Sequence, residues 1–186
     1  MKLARHYIAI TLLLFLASLC FNAMYLAGGG RMHALQALLY GPWGVVFGLY
    51  GWFANPLLGL AILLHRRWRR VSLALGLAAL YLALASLGIE RLPDNRSYEF
   101  VDLVHFGPGY YLWLGAILGF CLAQAWWCRR ARQGEPVPGW HWADGLLVVA
   151  LGVFISFGVQ DPGLRFEIKR ALEPPPRHQT SNPEAI

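Results

Sequence analysis

Five stretches of this chain run without a single Asp, Glu, Lys or Arg: between Arg5 and Arg31, Arg31 and Arg66, Arg70 and Glu90, Asp102 and Arg129, and Asp144 and Asp161. A bilayer interior about 30 Å thick needs roughly 20 apolar residues of helix to cross it. The runs place four spans at residues 7–27, 43–64, 71–89 and 108–127. The fifth, residues 145–160, would reach only about 24 Å as a helix. It crosses if it borrows the preceding Trp140, His141 and Trp142.

Composition closes the other routes. The chain is 57% hydrophobic and 14% charged, whereas a soluble domain carries about 25% charged residues. So few charges could not cover a water-facing surface, which excludes a soluble enzyme and a disordered chain. The net charge of +6 does not point to nucleic acid, because the basic residues cluster at the ends of apolar runs. The predicted fold is all-α: a polytopic membrane bundle of about five transmembrane helices with short interfacial helices. Residues 1–172 form one transmembrane domain, and the Pro-rich segment 173–186 is expected to be a disordered tail.

Short loops that stay in the cytoplasm keep their Lys and Arg. With the N-terminus inside, Lys2, Arg5, Arg66, Arg67, Arg69, Arg70, Arg129, Arg130 and Arg132 face the cytoplasm, against Arg31, Arg91 and Arg96 outside. The preference of Arg over Lys, with abundant Ala, Leu and Gly, suggests a bacterial chain and hence the cytoplasmic (inner) membrane. Residues 1–27 also resemble a signal peptide in outline, but the long apolar run favours a retained anchor. If residues 145–160 turned back as a hairpin, the tail would be cytoplasmic.

Few residues suggest chemistry. Asn55-Pro56 falls mid-way along the second predicted span, where Pro56 frees the carbonyl of Trp52 and kinks the helix. Asn22 in the first span is a natural partner for Asn55, and the pair would form either a polar transport site or an interhelical hydrogen bond worth about 1 kcal/mol. Gly44 with Gly48 and Gly115 with Gly119 have the spacing that lets membrane helices pack closely. Ser72 with Gly76 and Gly152 with Ser156 share it. Arg66, Arg67, Arg69 and Arg70 could hold anionic lipid headgroups.

Glu99, Asp102 and His105 have i, i+3, i+6 spacing on a predicted outer-loop helix, enough for acid–base work or a divalent metal. His33 and His105 fall at one membrane edge and His65 and His141 at the other. All four lie in or beside loops, which argues against a haem between spans, and His65 reads as a solvated interfacial residue. Cys20, Cys121 and Cys128 suggest neither disulfide nor zinc site. No cofactor and no metal site is expected, and catalysis is the less favoured reading.

The leading function is therefore a non-enzymatic accessory, immunity-type or assembly component, acting through helix and outer-loop contacts. Its partners would be membrane lipid and another membrane protein or a second copy of itself, without nucleic acid. A transporter or channel subunit organised on Asn22, Asn55 and Pro56 is the first alternative. An outer-face enzyme or metal site at Glu99, Asp102 and His105 is the second.

Overall fold

A computed structural model describes residues 6–93, 100–134 and 139–161. Three of its helices are long and apolar enough to cross a membrane: Arg69–Gly88, Pro108–Arg132 and Trp142–Gln160. They correspond to α4 (Arg69–Ala85, extended by a 3-10 turn at Ser86–Gly88), α5 (Pro108–Arg132) and α6 (Trp142–Gln160). Helix α6 includes Trp142 and reaches about 28 Å at 1.5 Å per residue. Its start is fixed by reciprocal capping: His141 Nδ1 accepts from the Ala143 N–H, and Asp144 Oδ2 accepts from the His141 N–H at 2.7 Å. That arrangement satisfies donors that a helix N-terminus otherwise leaves open.

Two other helices are shorter. Helix α1 covers Tyr7–Ser18 and α3 covers Ala54–Leu64, about 18 and 16 Å of rise. The expectation of an all-α bundle with spans at 7–27 and 43–64 needs correction here. After α1 the chain becomes strand β1 (Asn22–Leu26), joined through Ala27–Gly29 to β2 (Arg31–His33). Gly28 and Gly29 adopt φ of 73° and 80°, a conformation that only glycine takes readily, and so the chain reverses within a few residues. Helix α2 (Ala34–Tyr40) follows, then 3-10 segments at Gly41–Phe47 and Gly51–Phe53. Strands β3 (Arg91–Pro93) and β4 (Phe100–Phe106) complete a four-stranded antiparallel sheet of order β2-β1-β4-β3.

The helices pack α1 on α5, α3 on α4, α4 on α5, and α6 on α1. One end of the bundle, the arginine end, gathers Tyr7, His65, the start of α4 and the later turns of α5. The other, the sheet end, gathers the strands, α2 and the 3-10 segments. Helix α5 is the hub. Its Tyr110 hydroxyl donates to Ala83 O of α4 at 2.6 Å, its Trp113 Nε1 donates to Asn55 Oδ1 of α3 at 2.8 Å, and its Gln124 bonds α1, α4 and the chain after α3. Ser72 adds a bond from α4 to Ala61 O of α3. The outward surface stays apolar: Leu122 of α5, Tyr81 of α4 and Phe157 of α6 are all exposed. An apolar perimeter around a hydrogen-bonded interior suits a bundle whose solvent is lipid.

Glycine at the helix contacts follows the sequence expectation at Gly76, of the Ser72 and Gly76 pair, and differs from it elsewhere. Gly44 and Gly48 lie in a 3-10 segment and its left-handed cap, with no packed helix beside them, and Gly115 and Gly119 face open space. Spacing alone cannot say which face of a helix meets a neighbour. Close approaches between elements are made by Gly76, against Phe120 and Cys121, by Gly109, against the carbonyls of Ser18, Phe21 and Asn22, and by Gly158 of α6, against Leu35 of α2.

Candidate functional site

The sheet end contains a cleft of about 1180 Å³, larger than the roughly 300–1,000 Å³ of most small-ligand pockets. The end of α1, strands β1 and β2, helix α2, the 3-10 segments and the first turns of α3 and α5 wall it. Its depth is bounded by Trp52, Asn55, Tyr110 and Trp113, and its rim includes Arg31, Trp43, Val46 and Phe47.

Asn55 lines this cleft, but not as the centre of a kinked span. Helix α3 begins at Ala54, so Pro56 sits in its first turn, where a missing N–H leaves no intrahelical bond unmade. The carbonyl of Trp52 accepts from Asn55 Nδ2 at 3.0 Å, and Asn55 Oδ1 accepts from Trp113 Nε1. Trp52 in turn donates from Nε1 to Leu38 O at 2.8 Å, tying α2 to the start of α3. Asn22 does not pair with Asn55. It lies in β1 opposite His33, because the segment that follows α1 is claimed by strand pairing.

The loop-helix reading of Glu99, Asp102 and His105 also needs correction. Glu99 lies outside the described residues. Asp102 and His105 belong to β4, where each faces a different cross-strand neighbour. Asp102 sits opposite Arg91 and pairs with its Nε at 3.0 Å, with both side chains largely exposed. His105 sits opposite Tyr25, and their rings stack with centroids 4.5 Å apart. Cross-strand pairs of this kind stabilise a sheet by tenths of a kcal/mol. The register engages Asp102 and His105 separately rather than in one constellation. Among the described residues no group of three or more His, Cys, Asp or Glu is arranged to hold a metal.

The arginine end contains polar contacts that sequence reasoning passed over. Gln124 is fully buried. Its Oε1 accepts from the Tyr7 hydroxyl at 2.7 Å, and its Nε2 donates to His65 O and Arg69 O at 3.1 and 3.3 Å. His65 is 0% exposed, contrary to the solvated role expected from its arginine neighbours. Its ring meets Tyr7 and Trp140 edge-on, and Nδ1 lies 2.6 Å from Ile62 O. Arg66, Arg67, Arg69 and Arg70 remain exposed around it.

No protein-family model, curated protein or solved structure matches this chain. The sites therefore rest on their own geometry. At the sheet end, polar groups hold the walls of an open apolar cleft. At the arginine end, they bolt helices together. A Gln inside an uncharged run signalled Gln124, just as an Asn signalled Asn55. Tyr7 and His65 gave no such signal, since an interfacial ring and a buried one look alike in sequence.

Proposed function

We propose that this chain is a non-enzymatic component of a bacterial inner membrane, an accessory, immunity-type or assembly protein that works by contact at its sheet end. The observation that carries this reading is the cleft with its apolar rim: Trp43 is 68% and Val46 75% exposed, with Phe47 and Tyr50 exposed beside them. Exposed apolar surface at an open groove favours contact with an apolar partner. The amide of Asn55 is used on both sides, which weighs against a polar transport path there, and the separate engagements of Asp102 and His105 weigh against outer-face catalysis.

A multi-pass topology with the N-terminus in the cytoplasm accords with the nine Lys and Arg on the inward segments against three in the two opposite loops, the four of the tail (Arg165, Lys169, Arg170 and Arg177) following α6 on the outer side. Arg66, Arg67, Arg69 and Arg70 then lie where anionic headgroups could engage them. The apolar partner at the rim is another membrane protein or a second copy of this chain.

Photo-crosslinking tests the contact. A photoreactive residue at Val46 is expected to give one discrete higher-mass protein adduct in native membranes, and one at Val149 on the exposed face of α6 none. The same adduct pattern at both positions, or no protein adduct at either, would overturn the reading.

A further inference from the structure

The cleft's chemistry narrows what can occupy it. Apart from Gln36 of α2, the side chains that could hydrogen-bond a guest in its depth already have partners. Ser18 and Ser86 donate to Phe15 O and Leu82 O, Trp52 to Leu38 O, Tyr110 to Ala83 O, Asn55 Nδ2 to Trp52 O, and Trp113 to Asn55 Oδ1. A guest with a polar body, such as a sugar or an extended peptide, would be desolvated there without replacement bonds, at a cost of about 1–3 kcal/mol per group. Away from Gln36 the interior therefore favours hydrocarbon.

The rim adds a charge. Arg31 is the one charged residue among the described residues lining the cleft, and no Asp or Glu lines it. Arg31 is exposed on β2, directly opposite Tyr25, and among the described residues no carboxylate pairs with it. A guanidinium at the mouth of an uncharged, apolar groove complements a guest with a hydrocarbon tail and an anionic head. Its fork of donors matches a phosphate in two places at once.

We infer that the cleft binds an anionic phospholipid, with an acyl chain lying against Trp52 and Trp113 and its phosphate on Arg31. This rests on the reading that the sheet end is the working surface, and it names the chemistry of the guest. The protein partner proposed above would then meet a rim whose floor is lipid.

The test uses the full chain reconstituted in nanodiscs of equimolar phosphatidylglycerol and phosphatidylcholine, followed by native mass spectrometry of lipid retained after detergent extraction. Wild type is expected to retain one phosphatidylglycerol in preference to phosphatidylcholine. Arg31→Gln is expected to lower that preference about tenfold, the factor one charge-assisted contact supplies, with an unchanged unfolding midpoint because Arg31 is exposed on a three-residue strand. Arg129→Gln, exposed on α5 at the opposite end and outside the cleft, should leave it intact. Ala37→Trp, which fills the cleft from α2, should displace the retained lipid; should that variant not fold, the Arg31 comparison decides alone. Equal retention of the two lipids by wild type, no retained lipid, or undiminished preference in Arg31→Gln would overturn the inference. A protein adduct at Val46 alongside any of those results would sink the lipid and leave the contact reading standing, whereas retained phosphatidylglycerol without that adduct would do the reverse.

Discussion

Gly109→Ala is expected to destabilise the bundle by about 3 kcal/mol, while Gly119→Ala leaves it unchanged or more stable by up to about 1 kcal/mol. Both glycines belong to α5, and spacing in the sequence favoured Gly119, not Gly109, as the packing position. A Cβ at Gly109 would lie 2.9–3.0 Å from the carbonyl oxygens of Phe21, Asn22 and Ser18. These are backbone atoms at the end of α1 and the start of β1, so relief requires moving the helix end and the strand together. A Cβ at Gly119 meets nothing within 4 Å, and alanine there adds only helix propensity. The measurement is the midpoint of unfolding by sodium dodecyl sulfate titration from a fixed neutral detergent. Equal midpoints for the two variants would show that α5 does not enter the bundle against α1.

The second large effect belongs to Gln124→Leu, expected to cost about 3 kcal/mol. Leucine nearly conserves volume, so the loss isolates the bonds to the Tyr7 hydroxyl and to the carbonyls of His65 and Arg69. Tyr7→Phe removes one of them and should cost about 1 kcal/mol, near the upper range for hydrogen bonds in membrane bundles. The double variant is diagnostic. Once Gln124 is gone, the buried Tyr7 hydroxyl lacks that acceptor, so Tyr7→Phe should then be neutral or stabilising. Additive losses would mean that the Tyr7 and Gln124 side chains do not interact, which would remove the tie between α1 and α5 at the arginine end.

Helices α4, α5 and α6 were legible because each is built on an uncharged run, with its charges only in the end turns, and a helix satisfies its own backbone locally, as lipid demands. Even the sixteen-residue run 145–160 becomes a helix of sufficient length once Trp142 and its capping residues join it. The first and second runs misled for a shared reason: hydropathy measures what surrounds a residue, not which backbone geometry satisfies it. Residues 22–26 are strand because they pair with β2 across the Gly28 and Gly29 turn and with β4, some eighty residues later; the glycines are a local hairpin signal, but no local pattern records a partner as distant as β4. In β4 itself, the alternation of Val101, Asp102 and Leu103 carried a strand signal that helical spacing of Asp102 and His105 obscured. Pro56 likewise marks the first turn of a helix as readily as a kink within one. Asn55 was conspicuous as an amide in an apolar run, yet its bonds to Trp52 and Trp113 depend on where α3 starts. The cleft was not legible at all, since it is made by segments that hydropathy merges into spans.

The proposed topology puts the apolar helices in lipid, with the sheet end outside the cell and the arginine end in the cytosol. Its most direct test replaces Cys20, Cys121 and Cys128 with alanine and introduces one cysteine at a time, at Val104 on β4 or at Gln133 just beyond α5, both exposed. With a membrane-impermeant maleimide, the expected result is labelling of Val104→Cys in intact spheroplasts and of Gln133→Cys only after the membrane is opened. Labelling of both before permeabilisation, or of Gln133→Cys alone, would contradict it.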